Sequence, residues 1–352
     1  MLRLSVVATL AALACAGCDM PSSGVDGGDL HGVFEREVGP DASARGAPAE
    51  PSAAVPDAGP ATPRVPALRR TAPAGPCVLP DGRARAPQAR PAGRPACRSA
   101  RVLEWRDRDG TPRYGCVLGP RDAAERAPLP LLVFFHGEDD SPAAVDRKTS
   151  LRRQSARADL SGDPRRQGFL VLAPQGRRLE PGPDGRLRFD ADYAGPDNAD
   201  ALAVDHFVEA LAAEGLVDRR RIYAVGDSAG GKMAALYAAL RPASIAAFAV
   251  YGTDGSGAQW SCASEPPPAA IVYRACDDVT PCEQVERWLE QRRAAGAATF
   301  ALRLGAEGAS LPNCVSRASC KARAARAAHA RWPKSREPDV LDYLARYTLE
   351  PG

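Results

Sequence analysis

A chain of 352 residues has room for one large hydrophobic core and a long non-core segment besides. Its 46 Lys and Arg nearly balance 43 Asp and Glu, a net charge of +3, which does not favour a nucleic-acid partner. Ten cysteines argue against a reducing compartment, and 33 prolines with 32 glycines call for a stretch that no core can absorb.

The N-terminus reads as an address. Arg3 precedes an apolar run at 4–14 that is too short to span a bilayer. Cys15-Ala16-Gly17-Cys18 follows and resembles the lipobox of bacterial lipoproteins, in which Cys18 carries the lipid; Cys15 stands where that pattern has Leu. Cleavage as an ordinary secretory signal is the alternative, and both routes export the chain. Residues 1–18 are therefore expected to be the signal, and a membrane contact is expected only through lipid on Cys18. From 19 to 98 the chain is rich in Pro, Ala, Gly, Ser and Arg and poor in aromatics. Such a segment buries too little apolar surface to offset its ordering entropy, and it is expected to be a disordered tether. No later run is long and apolar enough for a transmembrane helix.

Setting Cys15 and Cys18 aside leaves Cys77, Cys97, Cys116, Cys262, Cys276, Cys282, Cys314 and Cys320. An even set in an exported chain predicts disulfides, for which eight cysteines allow 105 pairings. The local pairs Cys276–Cys282 and Cys314–Cys320 are the expected ones nearest the C-terminus. None of these eight forms a C-x-x-C pair and histidines are scarce, so no metal or other cofactor is expected.

From 99 to 352 the composition turns globular. Strands are predicted at 102–105 and 114–118, then at 131–135, where Leu-Leu-Val-Phe-Phe runs into His136-Gly137-Glu138. A strand at 169–173 leads to a long polar loop at 177–198, a helix at 200–213 and a strand at 222–225. A helix at 229–240, strands at 246–251 and 269–273, a helix at 282–295 and a strand at 299–304 follow. An Ala/Arg-rich loop holding His329 precedes a last helix at 339–347, whose Val340, Leu341, Leu344 and Tyr347 share a face. Several strands are uninterrupted apolar runs, as both-face burial requires. The alternation predicts an α/β fold: a mostly parallel sheet with helices on both faces.

One junction carries chemistry. The apolar run ending at Val225 passes through Gly226-Asp227-Ser228-Ala229-Gly230 directly into the Ala-rich helix. Strand, Gly-x-Ser-x-Gly and helix together make a nucleophile elbow, a bend so tight that small residues must flank the serine. A serine hydroxyl needs a base, and the base needs an orienting carboxylate. The usual chain order is Ser, acid, His. Of the four histidines, only His329 follows the serine; His31, His136 and His206 precede it. The acid belongs at the end of the strand after the elbow, where Asp277 and Asp278 are adjacent candidates and Asp254 is a third. Donors to a developing oxyanion are expected from the backbone of Ala229 and of Gly137 or Glu138, with His136 structural. Substrate contacts are expected from the 177–198 loop, where Tyr193 and Phe189 offer rings and Asp190 and Asp192 offer carboxylates.

These segments carry a resemblance. Leu131-Leu132-Val133-Phe134-Phe135-His136-Gly137, Gly168-Phe169-Leu170-Val171-Leu172-Ala173-Pro174-Gln175-Gly176, Val204-Asp205-His206-Phe207, Val217-Asp218-Arg219-Arg220-Arg221-Ile222-Tyr223 with the elbow, and Cys276-Asp277 with Pro281 occur in order. Together they resemble the secreted α/β-hydrolase esterases that include polyhydroxybutyrate depolymerases and feruloyl and acetylxylan esterases. In that pattern a proline follows the acid by four positions, a register that selects Asp277. Two places differ: Tyr273-Arg274 stands where the pattern has His-Gly, and His329-Ala330-Arg331-Trp332-Pro333 has one residue more than its His-x-Trp-Pro. The resemblance implies an exported serine esterase, lipid-anchored or secreted, working on carboxylic esters, polymeric substrates included, without a cofactor. A peptidase of the same fold and a non-catalytic surface lipoprotein are the alternatives.

Overall fold

The computed structural model describes residues 67, 88–90, 92–98, 100–163, 166–180, 186–255, 265–305, 308–316, 319–320 and 322–350. The expected signal, Cys18 and most of the expected tether lie outside the described residues, as do Cys77 and Cys262.

The strands are β1 (Gln88–Arg90), β2 (Arg101–Arg106), β3 (Pro112–Leu118), β4 (Leu129–Phe135), β5 (Leu170–Pro174), β6 (Arg177–Glu180), β7 (Leu187–Arg188), β8 (Val217–Asp227), β9 (Ala247–Tyr251), β10 (Ala269–Arg274) and β11 (Thr299–Leu304). The helices are α1 (Ala123–Arg126), α2 (Ala144–Lys148), α3 (Leu151–Gln154), α4 (Ala199–Ala213), α5 (Ala229–Leu240), α6 (Cys282–Ala294), α7 (Ala322–His329) and α8 (Glu337–Ala345). Eight strands form one sheet in the order β11-β10-β9-β8-β4-β5-β3-β2. From β11 to β5 every pairing is parallel; β3 runs against both of its neighbours. This is the α/β-hydrolase fold, with the strand-helix crossovers that a parallel sheet needs.

Period-two alternation splits the core into two layers. Leu131, Val133 and Phe135 of β4 face a cluster that holds Val204 and Phe207 of α4, Met233 and Leu236 of α5 and Leu289 of α6. Leu132 and Phe134 face the other side, with Leu151, Trp332, Val340, Leu341 and Leu344. Every residue of β4 is buried, the expected fate of a strand covered on both faces. All four long predicted helices form; the last is shifted N-terminally to Glu337–Ala345, with Pro338 in its first turn where a missing N–H costs nothing.

The folded part begins before the predicted boundary at 99. β1 pairs antiparallel with β6, Gln175 Nε2 donates to Gly93 O at 2.8 Å, and Cys97 is bonded to Cys116 on β3. The 177–198 stretch is also more built than a polar loop. It contributes β6 and β7, and its end is pinned by buried polar groups. Asn198 accepts from the amides of Asp200 and Ala201, capping α4, and donates to Asp190 O and Tyr193 O. Asp200 is fully buried between Arg113 and Arg177 and accepts from the Asp190 amide at 2.7 Å. Burial alone would raise its carboxyl; the two guanidiniums override this and hold it well below the usual carboxylate range.

The disulfides correct the expected local pairing. Cys276 is bonded to Cys320 and Cys282 to Cys314, across 44 and 32 residues of sequence. The physical reason is that the segment after β11 runs beside the end of β10, with Val315 N donating to Ala275 O at 2.8 Å. Neighbours in space, not in sequence, therefore oxidise together.

Candidate active site

The carboxyl ends of β4, β8, β9 and β10 lie side by side, and each delivers one part of the site. β8 ends at Asp227 and α5 begins at Ala229, leaving Ser228 alone in the bend with φ 52° and ψ −124°. A non-glycine residue held at positive φ is a strained conformation that its surroundings must impose. Here Ser228 N donates to Tyr251 O at 2.8 Å, and Ser228 O accepts from Lys232 N at 3.1 Å. The flanking glycines leave no alternative. A Cβ on Gly226 would lie 2.3 Å from Gly230 O, and one on Gly230 would lie 2.2 Å from Phe135 O.

His329 is the last residue of α7, not part of a loop as the sequence suggested. The Ala-rich stretch around it supplies helix propensity even without a long apolar stripe. The end of this helix is fixed from below: Tyr251 Oη donates to Ala328 O at 2.7 Å, and Trp332 packs edge-on against Phe134 and Tyr251. The imidazole then bridges two groups. Its Nε2 is 2.9 Å from Ser228 Oγ, and its Nδ1 is 2.8 Å from Asp277 Oδ2. Gly252, at φ +63°, leaves room for the ring; a Cβ there would stand 3.2 Å from His329 Cε1.

Asp277 sits in the turn between β10 and α6, its side chain 1% exposed. Its second oxygen, Oδ1, accepts from the amides of Val279 and Thr280, both at 2.9 Å. The carboxylate is thus oriented by its own turn, which leaves Oδ2 for the imidazole. Asp278 turns away and faces Arg326 at 3.5 Å. The two disulfides grip this turn from both sides: Cys276 precedes Asp277, Cys282 opens α6, and Cys320 stands just ahead of α7.

Gly137 and Glu138 follow β4 and face the bend, Gly137 so closely that a Cβ would be 3.3 Å from Asp227 Oδ2. Among the described residues, the amides of Ala229, Gly137 and Glu138 donate to nothing. For Ala229 this follows from its place as the first residue of a helix, where the N–H is free and the dipole is positive. His136 is part of the scaffold. It is fully buried, with Nδ1 donating to Gly137 O at 2.8 Å and Nε2 accepting from Gly176 N at 3.0 Å. Burial pushes its pKa below the ordinary histidine value.

Of the two expected substrate-stacking rings, Phe189 is taken up by the core. Phe189 is a core residue, packed edge-on to Phe135 and against His136. It follows β7 directly and packs into the core layer that holds Phe135 and Tyr237. Tyr193 is half-buried, its hydroxyl donating to Asp197. Of the two carboxylates expected beside them, Asp190 is buried and Asp192 pairs with Lys232 on α5. His206 is exposed and stacks on Trp105 of β2, ring centroids 4.7 Å apart. Sequence reasoning missed Tyr251 and Gly252, which seat the histidine. The glycine directly after an apolar strand was the available signal.

Residues 113–301 match the family described as esterase PHB depolymerase. No curated protein matches the chain. Among solved structures, one described as a thermostable esterase is 17% identical with a TM-score of 0.48, covering 71% of this chain and 63% of its own. Esterase 2 of Thermogutta terrifontis, phosphorylated by paraoxon, is 21% identical with a TM-score of 0.46, covering 62% of this chain and 86% of its own. The chain thus spans less than two thirds of the length of the first of these structures.

Proposed function

The chain belongs to the esterase PHB depolymerase family, and from that premise we propose that it hydrolyses carboxylic esters through Ser228, His329 and Asp277. The observation that carries this reading is the unbroken relay from Ser228 Oγ through the His329 ring to Asp277 Oδ2, at 2.9 and 2.8 Å. Ser228 Oγ attacks the ester carbonyl while Nε2 takes its proton. Asp277 holds the proton on Nδ1 and stabilises the imidazolium that forms. The oxyanion is met by the unengaged amides of Ala229 and of Gly137 or Glu138, each donor contributing about 3 kcal/mol in comparable sites. His329 returns the proton to the departing alcohol, and water, deprotonated by the same ring, releases the acid and restores Ser228.

The substrate class is a carboxylic ester: a hydroxyalkanoate polyester, an acyl group on a polysaccharide or a short-chain ester. The same reading gives residues 1–18 as an export signal, Cys18 as the lipid attachment point and the following Pro-rich stretch as the spacer from a membrane. Three disulfides among the described residues support an oxidising compartment. A fluorophosphonate probe tests the hydrolytic reading. It is expected to label Ser228, mapped by peptide mass, and the chain is expected to cleave p-nitrophenyl acetate in preference to aminoacyl-naphthylamides. A folded chain that neither labels nor turns over ester would be a binding module and not an enzyme.

The disulfides enter the same mechanism. Replacing Cys276 and Cys320 with Ser together is expected to lower kcat by between about ten- and a hundredfold, the scale of an ångström-sized misplacement. KM is expected to hold, since neither sulfur borders Ser228. Steady-state kinetics well below the melting temperature check this, and a kcat equal to wild type would mean the acid turn positions itself.

A further inference from the structure

Two places where this chain differs from the family pattern, Arg274 and Arg331, meet in the structure, and the hydrolytic relay uses neither. Arg274 Nη2 donates to Arg331 O at 3.1 Å. Both line a cleft of about 580 Å³ between α2 and the chain that follows α7. Arg147, Lys148 and Lys334 line it too, and none of its described lining residues is acidic.

The charges are only partly answered. Arg147 and Lys148 share Asp140, and Lys148 also reaches Asp227 at 3.0 Å. Burial alone would lower the Lys148 ammonium; Asp227 and Asp140 override this and hold it above the usual value, so it stays charged. Arg331 and Lys334 are exposed and face no carboxylate among the described residues. Arg274 is 3% exposed, yet among the described residues its guanidinium is met by neutral partners. Nε donates to Tyr251 Oη at 3.0 Å, Nη1 to Gly305 O at 2.7 Å, and the charge lies 5.7 Å from the Tyr251 ring centroid. A buried cation without a counter-charge is costly, and an anion is the partner that relieves it. Cations gathered in one concavity concentrate anions there, and guanidinium forks match the edges of tetrahedral oxyanions.

We propose that this cleft is a binding site for a phosphate group, separate from the site of ester attack. Its lining includes none of Ser228, His329 and Asp277, but it adjoins the chain on either side of the histidine and the residue that precedes the serine. Ala327 and Ala330 bracket His329, and Lys148 holds the residue before Ser228. The ligand is thus a second group beside the ester, either free phosphate or the headgroup of an anionic lipid. Because it is read by binding, the proposal is independent of hydrolysis.

Calorimetric titration of the full chain with inorganic phosphate, at low ionic strength, is expected to show saturable binding. Arg331→Gln combined with Lys334→Gln is expected to weaken it at least about tenfold, that is 1.4 kcal/mol. Both side chains are exposed, so the melting temperature is expected to hold. Sedimentation with phosphatidylcholine vesicles, with and without phosphatidylglycerol, separates the two sources. A gain from phosphatidylglycerol that the double variant loses assigns the lipid headgroup; phosphate binding without that gain assigns the free anion. The site is overturned if neither phosphate nor phosphatidylglycerol binds, or if the double variant binds as wild type does.

Discussion

Ser228→Ala is expected to cut ester turnover by about 10⁵-fold or more, on the scale seen when a serine nucleophile is removed from such a relay. The fold is expected to survive. Among the described residues the hydroxyl's hydrogen bond is to the imidazole, and the backbone bonds to Tyr251 and Lys232 that hold the bend do not involve it. Alanine keeps the Cβ, so the positive φ is no more strained than before. Steady-state turnover of p-nitrophenyl acetate and a thermal melt, run on the same preparation, check both halves. Turnover near the wild-type rate would move the nucleophile elsewhere and leave the elbow a structural turn. Lost turnover with a collapsed melt would show the hydroxyl to be structural first.

His329→Ala is expected to cost on the order of 10³-fold or more in kcat/KM, because the serine then has no proton acceptor. The other described histidines offer no substitute. His136 has both ring nitrogens engaged in the buried scaffold, and His206 is stacked on Trp105 of the edge strand β2. His206→Ala is therefore the control that leaves the rate unchanged. A rate near wild type in His329→Ala would require another base to reach Ser228 Oγ, and a matching loss in His206→Ala would identify it.

The parts of this fold and site that were legible share a cause: they are dictated locally. Leu131 to Phe135 is so apolar that only a strand buried on both faces suits it, and the elbow glycines are set by clashes within a few residues. The bend at Ser228 was legible for the same reason, whereas the expected order of serine, acid and histidine was taken from the usual pattern and not from local physics. The parts that were not legible are set by distant neighbours. β1, β6 and β7 are two to four residues long and exist because each finds a partner. Phe189 looks like a loop aromatic until Phe135 and His136 are placed beside it. The cysteines could not be paired because the segment carrying Cys314 and Cys320 returns to β10 only after β11 is laid down. The acid was narrowed to Asp277 by the position of Pro281, and the turn's own amides give that register a physical meaning.

The bond between Cys276 and Cys320 joins the residue next to the acid with the segment that leads into the histidine helix. On the export route and triad proposed above, a newly made chain in a thiol-rich cytosol would lack this strap, so Asp277 and His329 would be carried by pieces not yet fastened together. Hydrolytic competence would then be acquired late, at oxidation, and the cell's own esters would be spared while the polypeptide is still in transit.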